Sequence, residues 1–266
     1  MWRLKAVLLV ILRPGVAAGL VAVAVAAVGG YASLPQIVRP VQAIEVPVIQ
    51  PVAVAAATSL PANLVPSVDC SREACLALTF DDGPSAKHTP RILDLLDTHD
   101  AKATFFVVGQ QVPGNEALLR RMHASGHEIG NHTWNHRKIN ELTPQELKDD
   151  IARTQQVVAE AGVPAPRLFR PPYGLFNATI RSHVPMTVVS WNIDPEDWRA
   201  RKPERIVEHV LTNAKPGAII VMHDTEQLTA DALDTILATL KQQYRLVTVS
   251  ELLDLPPGQP GIFYGR

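Results

Sequence analysis

The sequence lacks any marked charge imbalance: 25 Lys and Arg stand against 26 Asp and Glu, a formal net charge of -1 at pH 7. Nothing in that balance points to a nucleic-acid partner, and 47% apolar residues argue against a wholly disordered chain. Internal repeats and glycine-rich phosphate loops are missing as well, which argues against solenoid folds and P-loop nucleotide binding. Cysteine is confined to Cys70 and Cys75, with neither a CxxC spacing nor a second pair. The two are expected to pair as a small local disulfide in an exported protein, with metal ligation as the alternative. What remains is a globular chain of 266 residues, enough for one α/β barrel of about 200 residues or for two small domains.

The N-terminus differs from the rest. Arg3, Lys5 and Arg13 precede an uncharged run from Gly15 to Ala32, so residues 1–32 are expected to be an export signal or membrane anchor. Gly30, Tyr31 and Ala32 fit a small-x-small cleavage pattern, which keeps a cleaved signal peptide open beside the anchor and a buried helix. Residues 33–69 follow as a Pro/Ala/Val-rich linker, because Pro35, Pro40, Pro47, Pro51, Pro61 and Pro66 leave no room for a helix. The expected domain spans 70–255 and residues 256–266 form a tail.

Within the domain, seven short apolar runs read as strands: Leu76–Phe80, Ala103–Val108, Glu128–Gly130, Arg167–Phe169, Met186–Trp191, Ala218–Met222 and Arg245–Val249. Helix signals lie between them. Thr89 precedes Pro90, and Thr143, Pro144 and Glu146 supply a cap, a first-turn proline and a capping-box acid. Leu147, Ile151, Thr154, Val158 and Ala161 then line one helical face. Such alternation predicts a parallel sheet with helices outside, and seven units favour a barrel-like closure over an open sheet.

Polar residues gather where five of these runs end: Asp81 and Asp82, His132 and His136, Arg170, Asp194 and Asp197, and His223. In a parallel α/β barrel those ends share one face, where catalytic groups collect. The i, i+4 spacing of His132 and His136 suits two metal ligands on a helical turn, or two solvated histidines. An HExxH glutamate is absent, so a base must come from elsewhere. Adjacent Asp81 and Asp82 repel unless a cation compensates, although a capped turn is the plainer reading of DDGP.

Five segments in order, TFDDGP from Thr79, HTWNH from His132, RPPYG from Arg170, DPEDW from Asp194 and IIVMHD from Ile219, resemble the polysaccharide deacetylase family. This is the NodB-homology domain of carbohydrate esterase family four, and the resemblance covers about Cys75 to Ser250. It implies a distorted, incomplete (β/α)7-type barrel and metal-dependent removal of N-acetyl groups from N-acetylglucosamine residues. Asp82, His132 and His136 look like ligands to one divalent metal, zinc, or else cobalt, nickel or manganese. Asp81 looks like the general base, kept ionised by Arg170, and His223 like the general acid, supported by Asp197. The backbone N–H of Tyr173 corresponds to an oxyanion donor, while Tyr173, Trp198 and Val221 correspond to substrate contacts. Val221 departs from the leucine that many relatives carry there.

Peptidoglycan is the expected substrate, since a domain tethered on a Pro-rich stalk, or secreted, would face the cell wall. Chitooligosaccharide or exopolysaccharide deacetylation, acetylxylan esterase activity and non-catalytic glycan binding are the alternatives. The remaining expectations are a monomer, contact with the membrane through the N-terminal segment, and no nucleic acid. His88, His99, His123, His127, His183 and His209 receive no role.

Overall fold

The computed structural model describes residues 68–175, 177, 182–255 and 261–266. The leader at 1–32 and all but the last two residues of the linker lie outside them. Among the described residues no helix is long and apolar enough to cross a membrane.

The elements run β1 (Cys75–Asp81), α1 (Thr89–Thr98), β2 (Ala103–Val107), α2 (Glu116–Ala124), β3 (Glu128–Asn131), α3 (Pro144–Glu160), β4 (Leu168–Phe169) and β5 (Thr187–Val189). They continue as α4 (Pro203–Asn213), β6 (Ile219–His223), α5 (Gln227–Leu240), β7 (Arg245–Leu246), α6 (Val249–Leu253) and β8 (Gly261–Phe263). The sheet order is β6-β1-β2-β3-β4-β5-β8, with β7 also paired to β1, and every strand pair is parallel. Among the described residues no ladder joins β5 to β6. A single bridge, Ile193 to Ile220, spans that seam, and Gly265 beyond β8 bridges to Ala218. The barrel is therefore distorted and incomplete, as expected.

Strand alternation builds two layers. Leu76, Leu78 and Phe80 of β1 join Phe105, Ile220, Met222 and the apolar faces of α1 and α5 in the outer core. Cys75 and Ala77 point the other way, with Phe106, Leu168, Val189 and Ile219. Further along β1 that inward face turns polar at Thr79 and Asp81, both buried. The polar change marks the end of the barrel where the site forms.

The Thr143 capping box forms, and the expected α3 face of Leu147, Ile151, Thr154, Val158 and Ala161 is buried. Cys70 and Cys75 are bridged. Three expectations need correcting. The strand expected at Arg245–Val249 stops at Leu246, because Thr248 and Glu251 form a second capping box and Val249 starts α6. The expected tail is not outside the fold: residues 261–263 pair with β5, and the Arg266 N–H bonds the Gly217 carbonyl. Thr89 does not cap α1, whose N-cap is His88 without a side-chain bond; the Thr89 hydroxyl is committed elsewhere.

Candidate active site

Register brings the first polar residues together. Asp81, last in β1, lies beside Phe106 of β2 and His223 of β6. In regular strand geometry Asp82 would turn to the opposite face, but it adopts φ 75, a left-handed conformation that aspartate tolerates. Both carboxylates consequently reach His132: Asp81 Oδ2 lies 3.8 Å and Asp82 Oδ1 3.4 Å from Nε2.

The two histidines follow β3 on a loop, which corrects the expected helical turn. Thr133 and His136 have φ of 68 and 56, and local side chains hold this backbone. Asn131 accepts from the Thr133 N–H at 2.9 Å and donates to the Ile151 carbonyl at 3.0 Å. Thr133 Oγ1 in turn accepts from the His136 N–H at 3.2 Å. His132 Nδ1 donates to the Arg170 carbonyl at 2.7 Å, which fixes the tautomer and leaves the Nε2 lone pair free. His136 Nε2 lies 3.2 Å from the same Asp82 Oδ1, and its ring packs 4.6 Å from that of Tyr173.

One oxygen and two nitrogens, all within 4.8 Å of one another, form a set able to hold a metal ion. Among the described residues Asp82 Oδ1 is buried without any hydrogen-bond partner, an expensive condition unless a cation neutralises it. Burial opposes ionisation of Asp82, yet the imidazoles facing it, His132 first and then His136 and His223, hold its pKa at about 2. For His136, burial first and His132 second depress the pKa and favour the neutral ring. An ionised carboxylate and neutral imidazole are the states a metal requires. This N₂O donor set fits zinc and, less selectively, cobalt, nickel or manganese.

Arg170 is fully buried at the polar end of the barrel. Its Nη1 donates to Asp81 Oδ1 and Thr79 Oγ1, both at 2.7 Å, and Nε and Nη2 donate to the Val189 and Ser190 carbonyls. The guanidinium also stacks 4.0 Å above the Phe106 ring. Such enclosure allows Asp81 little freedom to rotate. Tyr173 takes φ 60, and its N–H has no backbone acceptor among the described residues.

His223 stands on the other side of Asp81. Its Nδ1 donates to Asp197 Oδ1 and its backbone N–H to Asp197 Oδ2, each at 2.7 Å, while the Thr229 hydroxyl donates to Oδ2 at 2.5 Å. Burial lowers the His223 pKa, but the hydrogen bond and charge of Asp197, reinforced by Asp81 and Asp82, raise it to about 9. Trp198 is exposed beside Asp197, whereas Val221 is buried in β6 in register with Thr79. Asp194 shapes the turn into this segment by accepting from the Glu196 N–H at 2.8 Å.

Thr79, Asn131, Thr229 and Asp224 carry contacts that sequence reasoning assigned to none of them. Thr79 sits inside the TFDDGP motif and Asp224 ends IIVMHD, so position alone marked these two. Asn131 and Thr229 carried no signal, since their partners lie 20 and 32 residues away.

Residues 69–186 match a family model described as polysaccharide deacetylase. A peptidoglycan-N-acetylglucosamine deacetylase of Listeria monocytogenes, PgdA, is 42% identical over 178 residues, covering 66% of this chain and 38% of that protein. The chain thus spans well under half the length of that relative. A peptidoglycan-N-acetylglucosamine deacetylase of Bacillus cereus is 44% identical over 192 residues, 69% of this chain and 90% of the relative. Among solved structures, a family 4 acetyl xylan esterase from Clostridium thermocellum in complex with a cobalt ion superposes with TM-score 0.67 at 37% identity. That alignment covers 72% of this chain and 98% of the other.

Proposed function

The chain belongs to the polysaccharide deacetylase family, and on that premise we propose that it hydrolyses N-acetyl groups on N-acetylglucosamine residues of peptidoglycan. The observation that carries this reading is the convergence of Asp82 Oδ1 with the Nε2 atoms of His132 and His136, beside the Asp81–Arg170 pair.

A divalent cation held by Asp82, His132 and His136 would supply Lewis-acid polarisation and lower the pKa of a water to about 7. Asp81, oriented by Arg170, takes the proton of the attacking water as its oxygen bonds to the acetyl carbon. The Tyr173 N–H faces the charge that develops on the carbonyl oxygen; removing such a donor typically costs about 3 to 4 kcal/mol. His223, held as imidazolium by Asp197, gives its proton to the amide nitrogen as the C–N bond breaks, releasing acetate and a free amine. Trp198 and Val221 wall the place of the acetyl methyl.

The leader at 1–32 would carry the domain outside the cell, as anchor or cleaved signal. The Cys70–Cys75 bridge supports an oxidising compartment. The test is acetate release from peptidoglycan, chitooligosaccharides and acetylxylan, with added Zn²⁺ and after chelation. Metal-dependent release, fastest from peptidoglycan, is expected; binding of glycan without release under any divalent metal refutes the enzyme. Release from acetylxylan alone would make the chain an esterase.

A further inference from the structure

Asp224 has no part in the chemistry above, yet its carboxylate is buried and one oxygen, Oδ1, has no hydrogen-bond partner among the described residues. A buried acid with an unsatisfied atom close to other carboxylates is a cost, and its surroundings indicate what it does. Its Oδ2 accepts from the Thr89 hydroxyl at 2.5 Å, across 135 residues of sequence. Thr89 Oγ1 accepts in turn from the Ser85 N–H at 2.7 Å. A hydroxyl has a single proton, so the chain has one direction: Ser85 N–H to Thr89, Thr89 O–H to Asp224.

The same carboxylate lies directly against Gly83. A Cβ at Gly83 would meet both Asp224 oxygens at 2.1 Å, so a side chain there would displace either the carboxylate or the loop. On its other side, the Gly83 carbonyl accepts from the Val108 N–H at 2.9 Å. The loop from Asp82 to Ser85 is therefore gripped three ways: by Val108, by contact with Asp224, and by Asp224 through Thr89. Asp82, in its left-handed conformation, is the first residue of that loop.

We propose that Asp224 is a positioning residue, clamping the β1–α1 loop to the end of β6 through Thr89 and against Gly83 so that the Asp82 carboxylate stays aligned with His132 and His136. The clamp rests on the metal-site reading above. It also ties the loop that follows Asp81 to the end of the strand that carries His223. Residues that orient a ligand from behind typically contribute about 10 to 100-fold to metal affinity.

The test titrates Zn²⁺ into the full chain against a competing chromophoric chelator, with folding followed by near-UV circular dichroism. Thr89→Val, which keeps the shape and removes the hydroxyl, and Asp224→Ala should each weaken Zn²⁺ binding by about 10 to 100-fold. Thr89→Ser should restore it, and the double variant should bind no worse than Asp224→Ala. A folded Thr89→Val chain with wild-type affinity, or a Thr89→Ser chain as weak as Thr89→Val, overturns the clamp. So does a Thr89→Val chain that unfolds, since the bond would then be a general support; if Asp224→Ala unfolds, the Thr89 pair decides. Failure of the wild-type chain itself to bind Zn²⁺ would instead remove the metal reading, whatever the glycan assays show.

Discussion

On one wall of the site Asp82 keeps a buried oxygen without a hydrogen-bond partner among the described residues, whereas on the other both oxygens of Asp197 are engaged by His223 and Thr229. The first wall is incomplete as a set of protein atoms, and a cation would complete it. The second is finished by the fold itself. Asp81 stands between them, neutralised by Arg170 rather than by a metal, which is why two adjacent aspartates can differ in role. A buried charge is tolerated where a partner of opposite sign is fixed, and the two walls would take that partner from different sources.

The largest effect that sharpens this contrast is expected at Asp81. Asp81→Asn should cut kcat by about 10²- to 10⁴-fold, the usual range for a lost general base, with KM little changed. Steady-state kinetics on one defined glycan reads this, and retention of turnover would place the base elsewhere.

A smaller effect is expected on the finished wall. With the His223 pKa at about 9, the imidazolium persists through neutral pH, and if it is the acid, activity should be lost as pH rises through that value. In Asp197→Asn the main force raising the pKa is gone and burial dominates. The alkaline limb of kcat should then move to lower pH. An unmoved limb would break the comparison, since His223 would not depend on Asp197.

Much of this site was legible because apolar runs end where chemistry begins: Asp81, Arg170 and His223 could each be placed by the strand before them. Backbone sign was not legible. Asp82, Thr133, His136 and Tyr173 all take positive φ without being glycine, so the DDGP and HTWNH spacings gave the residues of the cluster but not the loop that aims them. Thr89 shows a different limit. Its position before Pro90 read as a helix cap, while its hydroxyl is spent on Asp224, a contact that only the folded chain creates. Strand β8 was hidden by its three residues and by Pro256, Pro257, Gly258 and Pro260 just before it.

The central claim is that two neighbouring aspartates divide the work, one holding the cation and the other handling the proton. It is tested most directly by Zn²⁺ stoichiometry and affinity in Asp82→Ala beside Asp81→Asn. One ion per chain at near wild-type affinity in Asp81→Asn, with binding lost in Asp82→Ala, is the predicted result. Equal loss in both, or undiminished binding in Asp82→Ala, would contradict it.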